Sequence, residues 1–216
     1  MKISAVIFDL DGTILEDEDE YGHAFNKVLK SLGIDSKTPA PQTKGIGVKE
    51  NWPILIKKYD IKTTKSAEEL AHETQEAYLM EIDRVTIRPG FDEFIENLKD
   101  GGIQIALATS NTWEVAEKII NKVGIEWVFD AITTIEEVVY GKPDPGLFTL
   151  TADKLGAERE ACLVIEDAPS GVVAARLAGM KVVAISDKED DEKILADANL
   201  IVDDFSEITA KVIDGL

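Results

Sequence analysis

Ala5-Val6-Ile7-Phe8 is a short, continuous apolar run that ends at Asp9. A strand covered by helices on both faces loses its polar alternation, so the run predicts a buried parallel strand. Apolar positions three and four apart follow. Ala24, Phe25, Val28, Leu29 and Leu32 predict a helix over residues 21–32, with Gly33 closing it as the residue just past the end. Further helices are predicted over residues 48–59 and 67–82. The second of these opens with Ser66 and Glu69 in capping-box spacing and carries Leu70, Thr74, Ala77, Tyr78 and Ile82 along one face. No strand is predicted between residues 14 and 85, so this region reads as an all-helical insertion.

After Arg88-Pro89-Gly90 the pattern alternates. Helices are predicted over residues 91–99, 112–123, 145–155, 170–178, 188–196 and 206–213. Strands are predicted over 103–109, 131–135, 161–166, 181–185 and 200–202. Repeated βα units imply an α/β fold: a Rossmann-like, doubly wound parallel sheet with helices on both faces. The expected division is a core of residues 1–15 and 86–216 and a small helical domain of residues 16–85 inserted after the first strand. Such sheets bind ligands beyond the carboxyl ends of their strands, which directs attention to the polar residues after each apolar run.

Composition narrows the partners. A chain of 216 residues with 44% hydrophobic content can bury a substantial core, and its formal charge of −19 disfavours nucleic acid and anionic membranes. One cysteine, Cys162, excludes an internal disulfide framework and is expected as a small core residue. No apolar run reaches the ~20 residues of a membrane span. With no signal-peptide pattern at the start, a cytoplasmic protein is expected.

Four strand ends carry candidate chemistry. Asp9 and Asp11 are two residues apart on an extended segment, hence on one face, and Gly12 permits a sharp exit. Paired carboxylates this close favour a cation between them, although a solvated strand end is equally open. The run Glu16–Glu20 reads as a solvated loop or first helical turn. Thr109-Ser110-Asn111 precedes a helix start, where backbone N–H groups suit phosphate; helix capping is the alternative. In Gly141-Lys142-Pro143-Asp144-Pro145 the prolines constrain where the lysine points, with Asp144 and Pro145 as a helix start and a solvated loop lysine as the alternative. Glu166-Asp167, followed by Gly171, supplies two more carboxylates after a buried strand; capping is the alternative for Asp167. Hard oxygen ligands of this kind suit magnesium.

Taken in this order, Asp9-Leu10-Asp11-Gly12-Thr13, Thr109-Ser110-Asn111, Lys142 and Glu166-Asp167 with Gly171 resemble the four motifs of haloacid dehalogenase-superfamily phosphohydrolases with a helical cap after the first motif. This subgroup includes β-phosphoglucomutase-like and phosphoglycolate-phosphatase-like proteins. The resemblance spans essentially the whole chain. It implies a phosphoric monoester hydrolase acting on a small phosphorylated metabolite, a sugar phosphate or phosphoglycolate, as a monomer or weak homo-oligomer. It implies Asp9 as nucleophile forming an aspartyl phosphate and Asp11 as general acid and base. Mg2+ would be held by Asp9, the backbone carbonyl of Asp11, and Asp167, with Glu166 ligating directly or through water. Thr109, Lys142 and the Ser110-Asn111 turn would surround the phosphoryl oxygens. Hinges are expected near residues 14–20 and 84–88.

Specificity would lie in the cap. Lys44-Gly45-Ile46-Gly47-Val48-Lys49 partly resembles the basic cap loop of sugar-phosphate mutases, making Lys44 and Lys49 candidate substrate contacts. Val48 stands where those proteins carry arginine, and Tyr21 where they keep a histidine, with His23 nearby. These departures favour hydrolysis over a mutase. A non-enzymatic phosphoacceptor is the third reading, but its acceptor would sit on a middle strand without a large helical insertion. A haloacid dehalogenase proper is disfavoured because Asp11 has no role there. His23 and His72 are expected as helix-surface or partly buried residues, and Trp52, Trp113 and Trp127 as packing residues.

Overall fold

The computed structural model describes residues 2–35, 40, 42–186, 191 and 193–216. Strand β1 (Ala5–Phe8) is buried throughout and forms the centre of a six-stranded sheet. The two-residue strands β2 (Leu15–Glu16) and β3 (Thr86–Ile87) pair antiparallel. Between them lie α1 (Glu18–Ser31), α2 (Val48–Tyr59) and α3 (Ala67–Leu79). Then follow α4 (Phe91–Asp100), β4 (Gln104–Ala108), α5 (Trp113–Val123), β5 (Ala131–Thr133) and α6 (Gly146–Leu155). The chain ends with β6 (Cys162–Glu166), α7 (Pro169–Leu177), β7 (Lys181–Ile185), β8 (Leu200–Val202) and α8 (Ala210–Gly215).

The sheet order is β5-β4-β1-β6-β7-β8 and every neighbouring pair is parallel. Strand order therefore reverses at β1, the position where open α/β sheets take their ligands. Register fixes what meets there. Phe8 is level with Leu107 of β4 and Ile165 of β6, so Asp9 emerges level with Glu166, and Thr109 follows one residue further along β4. The two faces of β1 divide the core by alternation. Val6 and Phe8 face one apolar layer, and Ala5 and Ile7 face the other. Phe8 meets Phe91 and Phe94 of α4 edge to face, at 5.8 and 5.9 Å between ring centroids. On the other face, Ala174 and Ala175 of α7 keep the helix close to the sheet.

The inserted helices have their own anchors. Trp52 is fully buried, and its indole N–H donates to Thr74 Oγ1 at 3.0 Å, tying α2 to α3. Ser66 and Glu69 form the expected capping box. The glycine expected to end the first helix has a positive φ of 82°.

Several elements differ from the sequence expectation. The helix read over 67–82 stops at Leu79, after which Ile82–Arg84 forms a 3-10 turn. The strands β2 and β3 are too short for alternation to reveal them. Residues 206–213 do not form one helix. Asp204 caps a 3-10 turn at Phe205–Glu207, and Thr209 starts α8 by accepting the Val212 N–H at 3.3 Å, so two local caps divide the segment. Of the helix read over 188–196, residues 187–190 and 192 lie outside the described residues, and 194–199 form turns and bends. Trp113 and Trp127 do not pack in the core. They are 47% and 65% exposed, and the Trp127 ring lies 3.9 Å from the Lys99 ammonium. His23 and His72 are both exposed on helices, and Cys162 is buried.

Candidate active site

The site is assembled at the carboxyl ends of β4, β1 and β6. Asp9 leaves β1 with its backbone N–H donating to the Ile165 carbonyl at 3.0 Å. Lys142, only 4% exposed, comes from the loop before α6, where the Asp144 carboxylate accepts the Gly146 N–H at 2.8 Å. The structure starts α6 at Gly146, one residue later than the sequence reading, with Pro145 in the cap position. The Lys142 ammonium donates to Asp9 Oδ1 and, at 2.7 Å, to Glu166 Oε1. Glu166 is fully buried, and its Oε2 accepts the N–H groups of Asp167 and Ala168 at 2.8 and 2.7 Å. With both oxygens engaged, Glu166 serves first to hold Lys142 and the loop that carries Asp167.

Two glycines are required by this packing. A Cβ on Gly171 would lie 1.7 Å from Glu166 Oε1, so α7 begins directly against the buried carboxylate. Gly12, at φ +78°, would place a Cβ 2.4 Å from Asp167 Oδ2.

The electrostatics are strained by burial. Burial pushes the Asp9 carboxyl up to about 7, against the pull of Lys142 and with a further push from Glu166. Burial, then Glu166 and Asp9, hold the Asp167 carboxyl well above the ordinary range. Burial, then Asp17, do the same for Asp11. Burial opposes the Lys142 charge, but Asp9 and Glu166 outweigh it and hold the ammonium above its ordinary value.

Oxygens of Asp9, Glu166 and Asp167 all lie within 4.8 Å of one another. The Asp11 carboxyl is not in this group; it hydrogen-bonds with that of Asp17, and among the described residues its Oδ1 meets no donor. Among the described residues Asp167 Oδ1 receives only a 3.3 Å bond from Thr13 Oγ1. Three buried acids beside the buried Lys142, with Lys44 3.7 Å from Asp167 but shared with Glu18, leave negative charge that a hard cation would neutralise, and an all-oxygen donor set fits magnesium.

The other expected residues fall into two groups. Ser110 and Asn111 line a cavity of about 60 Å3 together with Asp9, Asp11, Lys44 and Asp167. Thr109 is fully buried behind that turn, its Oγ1 accepting the Asn111 N–H at 3.1 Å. Lys44 reaches the site from the loop before α2. It pairs with Glu18 and lies 3.7 Å from Asp167 Oδ2. That loop is pinned by Asn51, whose Oδ1 accepts the Thr43 N–H at 2.7 Å. It rests on the core at Gly45 (φ +72°), where a Cβ would lie 2.4 Å from Ala168 Cβ and Ser170 Oγ. Lys49 is not brought to the site. It is 53% exposed and pairs with Glu68 at 2.6 Å on the far side of its helix, and Val48 lines the cavity instead. Val48 and Lys49 are successive residues, roughly 100° apart around the helix axis, so one faces the cavity while its neighbour faces away.

Sequence reading missed Asp17. Assigned to a solvated acidic run, it is 1% exposed, accepting the Gly12 N–H at 3.1 Å and the Tyr78 hydroxyl at 2.7 Å. Nothing in the run Glu16–Glu20 distinguishes it from its neighbours. Tyr21 also faces the site, and its hydroxyl donates to Asn111 Oδ1 at 2.9 Å.

The chain is similar to known proteins over most of its length. A family model described as haloacid dehalogenase-like hydrolase matches residues 6–185. A phosphorylated carbohydrates phosphatase of Thermotoga maritima is 30% identical over 202 residues, covering 92% of this chain and 93% of that protein. β-Phosphoglucomutase of Bacillus subtilis is 29% identical over 221 residues, covering 98% and 94%. Among solved structures, β-phosphoglucomutase from Clostridium difficile superposes with a TM-score of 0.85 at 27% identity, covering 99% of this chain and 96% of that one.

Proposed function

Since the chain belongs to the haloacid dehalogenase-like hydrolase family, we propose that it is a Mg2+-dependent phosphatase of small phosphorylated metabolites, working through an aspartyl phosphate on Asp9. The observation that carries this reading is the buried Lys142 ammonium joining Asp9 to Glu166 beside Asp167, at the point where strand order reverses. The relative named as a phosphorylated carbohydrates phosphatase supports sugar phosphates as the substrate class.

Asp9, held through Oδ1 by Lys142, attacks phosphorus as the bond to the leaving oxygen breaks. Asp11 gives that oxygen a proton, then takes one from the water that attacks the acyl phosphate and releases inorganic phosphate from Asp9. Lys142 and the Ser110 N–H stabilise charge on the transferring oxygens; Thr109 holds the turn in shape by accepting the Asn111 N–H. Asp9, Asp167 and the Asp11 carbonyl would hold Mg2+, with Glu166 behind them. The bound ion supplies positive charge, without which this acidic pocket would repel a phosphate dianion.

Residues 16–85 act as a cap on a core of residues 1–15 and 86–216, with β2 and β3 as the two-stranded connection. Hydrolysis is favoured over a mutase because Val48 and Tyr21 offer no basic group at the cavity wall. Lys44 is the feature that the mutase reading retains. The test is a panel of sugar phosphates, phosphoglycolate, nucleotides and p-nitrophenyl phosphate, with Mg2+ and with chelator. Metal-dependent release of phosphate is expected, with sugar phosphates preferred. Equal rates in chelator would remove the metal role, and conversion between hexose phosphate isomers without phosphate release would favour the mutase.

A further inference from the structure

Asp11 sits on the turn beyond β1, outside the sheet, and no backbone ladder fixes its carboxyl. Among the described residues its one hydrogen-bond donor is Asn111, whose Nδ2 lies 2.7 Å from Asp11 Oδ2; Oδ1 is buried without a donor. The carboxyl also lies against that of Asp17 and hydrogen-bonds with it, so its orientation is set by Asn111 on one side and Asp17 on the other. Asn111 is itself closely held. Its N–H donates to Thr109 Oγ1 at 3.1 Å, and its carbonyl accepts the Ile135 N–H at 3.2 Å. Its amide oxygen accepts the Tyr21 hydroxyl at 2.9 Å. An amide that receives a proton on its oxygen side turns its NH2 the other way, and here that way leads to Asp11.

Tyr21 lies on α1 and stacks on Tyr78 of α3, with ring centroids 3.9 Å apart and planes 13° from parallel. The Tyr78 hydroxyl donates to Asp17 Oδ2 at 2.7 Å, and Asp17 Oδ1 accepts the N–H of Gly12, the residue next to Asp11, at 3.1 Å. Two tyrosines from separate helices of the inserted segment thus reach two points of one turn. Tyr21 acts on the Asp11 carboxyl through Asn111, and Tyr78 acts through Asp17 on that same carboxyl and on the adjacent backbone. Both rings are buried, so neither link survives if the helices lift away from the core.

We infer that the stacked pair Tyr21 and Tyr78 are positioning residues for Asp11, aiming its carboxyl at the leaving oxygen only while the helical segment is seated on the core. The inference rests on the phosphatase reading and names the groups through which the segment would control its chemistry. Neither tyrosine touches the phosphoryl group. Their effect is confined to the step in which Asp11 moves a proton.

That confinement supplies the test. The value of kcat/KM reports steps up to phosphoryl transfer onto Asp9. A sugar alcohol leaves only with a proton, whereas p-nitrophenolate leaves without one. The full chain with Mg2+ is assayed on sorbitol 6-phosphate and p-nitrophenyl phosphate for Tyr21→Phe and Tyr78→Phe, which keep the rings and lose the hydroxyls. For Tyr21→Phe, kcat/KM on sorbitol 6-phosphate is expected to fall roughly 10- to 100-fold, and on p-nitrophenyl phosphate less than about threefold. Tyr78→Phe should show the same selectivity by the second route, so a folding defect in one variant does not decide the outcome. Equal losses on both substrates, as a structural defect would give, or no loss on either, would overturn the positioning role. Two controls separate the claims: a wild-type chain that releases no phosphate from either substrate overturns the phosphatase reading itself, and turnover surviving in Asp9→Asn overturns the nucleophile assignment.

Discussion

Lys142 Nζ lies 2.7 Å from Glu166 Oε1 while also bonding Asp9, so one buried ammonium joins the end of β6 to the residue that follows β1. The pairing links two roles. Glu166 receives two backbone N–H groups on its other oxygen, which fixes the loop carrying Asp167, while Lys142 fixes the orientation of Asp9.

Removing the lysine would leave two buried carboxylates uncompensated. Lys142→Met is expected to lower stability by about 3–5 kcal/mol at pH 8, read by urea denaturation, and to abolish phosphatase turnover. Glu166→Gln keeps an acceptor for the backbone donors but loses the charge that steadies Lys142. Its turnover should fall by roughly tenfold or more while the fold persists. Wild-type activity in Lys142→Met would show that Asp9 does not depend on this contact.

Stability should respond to pH in the direction the buried acids dictate. Asp9 is raised to about 7 from 3.8, so between these values the folded state binds more protons than the unfolded chain. Its contribution is present at low pH and lost as pH rises through 7; Asp11 and Asp167 shift the same way. In chelator, the melting temperature should therefore be higher at pH 5.5 than at pH 8. Mg2+ should raise it more at pH 8 by stabilising the ionised carboxylates. Thermal unfolding by circular dichroism checks both statements, and a metal-independent, flat profile would contradict them.

Gly45 marks where the loop bearing Lys44 rests on the core. Gly45→Val needs space already taken by Ala168 and Ser170 and strains a positive φ. We expect at least a roughly tenfold loss in kcat/KM, with unfolding shifted by no more than about 1 kcal/mol, because the contact lies at the rim of the site. A large loss of stability with normal kinetics would place the strain elsewhere.

The helical segment depends on Trp52. Trp52→Ala removes the largest fully buried side chain and its hydrogen bond to Thr74 Oγ1, which keeps its own bond to the Leu70 carbonyl, at an expected cost of about 3–5 kcal/mol. Trp52→Phe should lose less, and calorimetry distinguishes the two.

The central sheet was readable from the chain because β1, β6 and β7 are apolar runs without alternation, and because each of the strand ends beside them carries polar residues in a recognisable order. Lys142 was readable for a similar reason, since prolines and a glycine bracket it. Other features depend on tertiary context. Asp17 is one of five consecutive acidic residues, and only the fold turns it inward to Gly12 and Tyr78. Lys49 and Val48 are neighbours on one helix end, and which of them faces the cavity follows from a helical phase that a loop motif does not reveal. The exposure of Trp113 and Trp127 has the same origin, because aromatic residues near helix ends can cover a core or stand beside it.

The proposal that Asp9 accepts the phosphoryl group can be read from the protein itself. Full-length enzyme turning over sorbitol 6-phosphate with Mg2+ is quenched in acid, reduced with borohydride, which converts an acyl phosphate to an alcohol, and mapped by peptide mass spectrometry. Reduction confined to residue 9, dependent on substrate and absent in Asp9→Asn, is the expected result. Undiminished turnover in Asp9→Asn, or modification elsewhere with residue 9 untouched, would contradict it.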